Sequence, residues 1–187
     1  MHDKLDINNI LLAVIFSAMG VTFPILFHLV GLGSVFMPMY IPLALGAYML
    51  TLKNAAITGF FTPLASAVLT GMPPFYPPIA PLMMLQLTVF CCFISFMTHR
   101  FKIKPVISIL AAIIIDRLIL ACYYFLIIPL FGISPEIYTA YHLIKSFPGL
   151  LLMIITVPLL VPVCVRIIKN KSLRLYEHNE RHHHEHD

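Results

Sequence analysis

Residues 79–130 read IAPLMMLQLTVFCCFISFMTHRFKIKPVISILAAIIIDRLILACYYFLIIPL. Two apolar runs, Ile79–Thr98 and Pro105–Leu130, flank a short connection that holds Arg100, Lys102 and Lys104. An α-helix needs roughly 20 apolar residues to cross a bilayer, so each run is long enough to span. A basic connection between two such runs belongs on the cytoplasmic side, because Lys and Arg in short loops stay there. This stretch therefore reads as a helical hairpin through a membrane.

The rest of the chain has the same character. Of its 187 residues, 60% are hydrophobic and 11% charged, with a mean hydropathy of +0.93. A soluble domain is about 45–50% apolar and about 25% charged. The composition excludes an ordinary soluble enzyme domain, a disordered chain and a nucleic-acid binder with a solvated basic face. It points to a polytopic membrane protein.

Working towards the amino terminus, Gly71 to Pro78 reads GMPPFYPP. Its four prolines remove backbone donors and block helical geometry, so it is a loop. Before it lie three further apolar runs: Asn8–His28, Val35–Leu52 with Pro38 and Pro42 near its start, and Asn54–Thr70. Towards the carboxyl terminus, a last run covers Thr139–Ile168. The expected fold class is all-α, with six transmembrane helices in a domain of residues 1–170. A His-rich, unfolded cytoplasmic tail is expected over residues 171–187, ending YEHNERHHHEHD, with no metal site assigned to it. The first run lacks the small-residue cleavage site of a signal peptide and reads as a retained helix.

Charge orients the bundle. Ten of the twelve Lys and Arg residues fall on one set of ends and loops: Lys4, Lys53, Arg100, Lys102, Lys104, Arg166, Lys169, Lys171, Arg174 and Arg181. The loops His28–Ser34, Gly71–Pro78 and Phe131–Tyr138 hold none, and their only charge is Glu136. By the positive-inside rule both termini are cytoplasmic. Cys91, Cys92, Cys122 and Cys164 all lie in apolar runs without a CxxC spacing, and imply no disulfide framework. Six spans also leave no room for a separate catalytic or ATP-binding domain. Energised work would draw on a partner or an ion gradient.

Three ionisable residues lie at membrane depth: Asp116 and Arg117 in the fifth run, and Lys145 in the outer half of the sixth. Each costs on the order of 2.5–3.5 kcal/mol at a helix centre on insertion scales. One reading is structural ion pairing; the other is a ligand pocket open to the outside. Helical spacing supports the pocket. Arg117 and Tyr124 are seven apart and share a face, as do His142, Lys145 and Gly149. Gln86 is the only amide in its run, and His28, Met37 and Tyr40 sit near the outer ends of theirs. Mixed polar groups in an apolar, aromatic-lined cavity suit a small polar nutrient. The glycines of the first outer loop, Gly31 and Gly33, and the third loop Gly71-Met72-Pro73-Pro74-Phe75-Tyr76 are candidate lids. On the first helix, Ala13 and Ser17 have small-xxx-small spacing, with Gly20 nearby, which permits close helix approach.

Residues 28–74 resemble the substrate-binding S components of energy-coupling factor (ECF) transporters. The resemblance rests on Gly31-Leu32-Gly33, Pro38-Met39-Tyr40-Ile41-Pro42, Pro63-Leu64-Ala65-Ser66 and Gly71-Met72-Pro73-Pro74, with Arg117 and Pro148-Gly149 further on. It implies a six-helix S component of a bacterial cell membrane that captures a vitamin or related micronutrient from outside. Such a subunit is not an enzyme. It works with a transmembrane coupling subunit and two ATPases, which use the ATP, and it needs no cofactor of its own. The family's A-x-x-x-A contact with the coupling subunit falls on Ala13 and Ser17. Tyr40, Gln86 and Asp116 depart from the family's His, Glu and Gly. Arg117 and Lys145 favour an acidic or carbonyl-rich ligand. The alternatives are an intramembrane enzyme, which requires an acid, base or metal set at one depth, and an envelope structural or assembly protein.

Overall fold

In the computed structural model the residues described are 2–29, 31, 36–76, 78–131 and 145–168. The predicted His142, Gly33 and the His-rich tail fall outside them. Helices follow in the order α1 (His2–Leu29), α2 (Tyr40–Ala47), α3 (Leu52–Thr70), α4 (Ile79–Phe101) and α5 (Pro105–Leu126). A short 3₁₀ turn, Ile128–Phe131, extends α5, and α6 covers Lys145–Ile168. Among the described residues there is no strand.

Four of these helices are long and apolar enough to cross a membrane: Ile7–Leu29, Ile79–Phe101, Pro105–Leu130 and Lys145–Ile168. The chain is built as a multi-pass helical membrane protein. α3 has 19 residues, but Lys53 and Asn54 in its first turn make it less apolar.

Local chemistry sets the helix ends. Pro105 opens α5 at a position where its missing N–H would have no helical partner. α4 closes with His99 and Arg100 in its last turn, where positive charge meets the negative end of the helix dipole. α3 ends at Gly71, whose φ of 71° is left-handed and whose N–H bonds the Ala67 carbonyl.

The second apolar run departs from the expectation of one continuous helix over Val35–Leu52. Among its described residues Phe36 is helical, the helix breaks at 37–39, and it resumes over Tyr40–Ala47, a rise of about 12 Å against a hydrocarbon core of about 30 Å. Met37 has a φ of +46°, and Pro38 follows it in the turn. At the other end the chain turns through Tyr48–Leu50. Other helices supply the missing bonds: Ser95 Oγ donates to the Leu50 carbonyl at 2.8 Å. A helix that is apolar all round needs burial on all sides. Accordingly Tyr40, Pro42, Leu43, Ala44, Leu45, Gly46 and Ala47 are all buried.

The remaining helices close around α2. Gly46 lies against Phe16 of α1, and Gly20 of α1 lies against Leu43 and Thr62. Among the helices up to residue 131 the most extensive packing joins α3 to α4, where a Cβ on Gly59 would stand 2.5 Å from the Leu87 carbonyl oxygen. Only glycine permits that approach. The main core gathers Leu43, Leu50, Leu87, Phe90, Ile94, Ile109 and Val157 around α2.

These contacts give the bundle two different ends. At one end Asn9 of α1 accepts a hydrogen bond from Thr51 N, and Tyr48 reaches the Pro105 carbonyl. Lys53, Arg100, Lys102 and Lys104 belong to the connections gathered there. The opposite end contains the cavity.

Candidate functional site

A cavity of about 300 Å³ lies where the end of α1, the start of α2, the end of α3 and the starts of α4 and α6 meet the second half of α5. Pro24 and His28 come from α1, and Met37, Pro38, Met39 and Tyr40 from the turn into α2. Ser66 and the loop Met72-Pro73-Pro74 close the α3 side. Ile79, Leu82, Met83 and Gln86 line it from α4, Leu120, Arg117 and Tyr124 from α5, and Ser146 from α6. A neighbouring cavity of about 260 Å³ shares Pro24, His28 and Met72 with it.

The polar side of the cavity is one connected network. Asp116 is 2% exposed and sits behind the wall. Its Oδ2 accepts from Arg117 Nη2 at 2.7 Å and from Nε at 3.1 Å, and its Oδ1 accepts from the Tyr40 hydroxyl at 3.0 Å. Both carboxylate oxygens therefore act as acceptors, as an ionised group requires. Arg117 also donates from Nη1 to Ser146 Oγ at 3.0 Å and from Nη2 to Met37 Sδ at 3.7 Å. Gln86 Nε2 donates to the Asp116 backbone carbonyl at 3.3 Å, which fixes which end of the amide is nitrogen.

This pairing explains how two charges are tolerated at membrane depth. A buried charge is costly unless it is paired and hydrogen-bonded. Adjacent helical residues point about 100° apart, so Asp116 and Arg117 cannot both face the cavity. Asp116 turns inward and Arg117 lines the wall, while the long arginine side chain folds back to bond its neighbour.

The rest of the wall is apolar and deformable. Met37, Met39, Met72 and Met83 line it with Tyr40 and Tyr124. Thioethers adapt to irregular shapes and contact aromatic rings favourably. Tyr40 is held edge-on against Phe90, with ring centroids 5.4 Å apart.

The loop after α3 is anchored. Ser66 Oγ and Thr70 Oγ1 both donate to the Met72 carbonyl, at 2.8 and 3.2 Å. The Pro74 carbonyl accepts from Ala80 N at 3.0 Å, and the Pro78 carbonyl accepts from Tyr123 OH at 2.6 Å. The Met72–Pro73 peptide is cis.

The structure brings together His28, Met37, Tyr40, Gln86, Arg117 and Tyr124 of the predicted binding residues, and Met72, Pro73 and Pro74 of the predicted loop. Lys145 does not line the cavity; its neighbour Ser146 does. The buried stripe of α6 is Ser146, Gly149, Met153 and Val157, so Lys145 lies at its edge. Phe75 and Tyr76 are 54% and 73% exposed and stand off the cavity wall, as do Gly31 and Gly71. Ser146, Met39, Met83 and Pro24 are wall residues that the sequence reading missed.

Ala13 and Ser17 are half-buried, with Ala13 packed against the chain's own core. The outward face of α1 is formed by Ile7, Ile10, Leu11 and Val14. The four cysteines are free, and among the described residues no group of three His, Cys, Asp or Glu gathers as a metal site would require. No family model, no curated protein and no solved structure matches the chain.

Proposed function

We propose that this protein is the substrate-capturing membrane subunit of an ECF-type importer in a bacterial plasma membrane. In this reading the bundle has six spans with both termini cytoplasmic, and the short α2 with its flanking turns serves as the second. The cavity end faces outside and the end with Lys53, Arg100, Lys102 and Lys104 faces the cytoplasm. The cargo is a vitamin or related micronutrient. A transmembrane coupling subunit and two ATPases supply the energy, and the protein itself catalyses no reaction.

The observation that carries the proposal is the cavity. A void of about 300 Å³ matches the small end of the range for small-molecule sites. It is lined by apolar groups plus His28, Ser66, Gln86, Arg117, Ser146 and two tyrosines, and it lies at the end of the bundle away from the basic connections. Ion pairing alone does not explain the void. Ala13 and Ser17 on α1 are the proposed contact with the coupling subunit.

The test combines binding and uptake. Purified protein is subjected to mass spectrometry of the small molecules it retains, and cells carrying the coupling module are assayed for uptake of whatever is found. Arg117→Ala is expected to lower binding at least tenfold, by loss of a charge-assisted hydrogen bond. Ser17→Leu is expected to leave binding intact and block uptake. Protein that retains no small molecule and never copurifies with a coupling subunit would defeat the proposal.

A further inference from the structure

The reading as a solute-capturing subunit leaves open what kind of solute fits, and the cavity narrows the choice. We infer that the ligand is an uncharged, planar ring compound with a lactam- or amide-type edge, in which a C=O and an N–H lie side by side. This inference rests on the proposed capture function.

Charge balance carries the first half. Apart from tyrosines and His28, Arg117 is the one ionisable side chain on the wall among the described residues. Its charge already has a partner, because the Asp116 carboxylate holds Nε and Nη2 from behind. An anionic ligand would enter as a third charge beside a pair that is already balanced, and buried unbalanced charge is disfavoured. Lys145, the cation expected to help an acidic ligand, is not on the wall. A carbonyl oxygen makes a smaller demand. A guanidinium has five N–H groups. Four of these are used by Asp116, Ser146 and Met37, which leaves one on Nη1 for an acceptor.

Gln86 carries the second half. It is 3% exposed, and its Nε2 donates to the Asp116 carbonyl. Its Oε1 accepts no hydrogen bond from the described residues, whereas its N–H side also lies close to the Asp116 carboxylate. Gln86 is not among the residues with a fully buried, unpartnered atom, so Oε1 opens on to the cavity, where a donor would satisfy it. A ligand N–H would satisfy Oε1 while the adjacent C=O takes the spare N–H of Arg117. A carboxylate has no donor to offer Oε1. The thioethers of Met37, Met39 and Met83 and the ring of Tyr124 then supply soft, apolar contact for a flat ring.

The experiment uses the full-length protein in detergent at neutral pH. Thermal shift is measured with matched pairs on one ring: nicotinamide against nicotinate, and lumazine against lumazine-6-carboxylate. Compounds retained from membranes are identified by mass spectrometry in parallel. The uncharged member of a pair is expected to act at about tenfold lower concentration, the difference made by one well-placed hydrogen-bond pair. Gln86→Leu should erase that preference, and Asp116→Asn should shift it towards the carboxylate by leaving Arg117 unbalanced. If Asp116→Asn fails to fold, Gln86→Leu still decides. Preference for the carboxylate member, or a retained compound that is anionic, overturns the inference and leaves solute capture standing. No retained compound together with no shift from any probe overturns both.

Discussion

Tyr40 and Tyr48 stand at the two ends of α2, and both reach across to α5. Their surroundings differ. Tyr48 OH shares a 2.7 Å bond with Ser108 Oγ and donates to the Pro105 carbonyl, in a dense part of the core where each polar atom meets a neutral partner. Tyr40 OH donates to a buried carboxylate that is itself paired with an arginine facing a void. One end of the helix is fastened by neutral bonds of ordinary strength. The other is fastened through charge, beside empty space. The difference shows where stability alone accounts for the residues and where it does not.

Three substitutions probe that contrast, in order of expected effect. Asp116→Ala leaves Arg117 without its counter-ion, and breaking a buried pair in this way costs about 3 kcal/mol or more. Unfolding of the detergent-solubilised protein should show that loss, and a loss below that of Tyr48→Phe would mean that the pair is solvated. Tyr40→Phe removes a hydrogen bond to a charged acceptor, with an expected cost of about 2 kcal/mol and weakened ligand binding. Tyr48→Phe removes neutral bonds only, with an expected cost of about 1 kcal/mol and unchanged ligand binding. Should Tyr48→Phe weaken binding as much as Tyr40→Phe does, the two ends of α2 would not be functionally distinct. In the double variant the two costs should add within about 0.5 kcal/mol, because eight helical residues separate the sites by about 12 Å.

Much of the arrangement was legible in the sequence because it rests on period and charge. The hairpin of α4 and α5 follows from two apolar runs, three basic residues and Pro105. Arg117 and Tyr124, seven apart, do line one cavity, and the lone amide Gln86 faces them. The illegible parts have physical causes. α2 looked like part of a continuous span because hydropathy does not register the break at Met37 and Pro38. The wall position on α6 went to Ser146 because a shift of one residue turns a helix by about 100°, and the chosen face was anchored on Lys145. Met39 and Met83 did not stand out because apolar residues lining a void read the same as those filling one. The bond between adjacent Asp116 and Arg117 was hidden because helix geometry separates their Cβ directions, whereas a long side chain can curl back.

That bond has a bearing on how the protein is made. Both partners belong to α5 and adjoin in the chain, so the ion pair requires no other helix to form. Either charge alone at mid-membrane would penalise insertion by about 2.5–3.5 kcal/mol. As neighbours they let α5 enter the lipid with its counter-ion already aboard, before α2 arrives to add Tyr40. The charge that marks the cavity is thus delivered by one segment, and assembly of the bundle has only to decide what surrounds it.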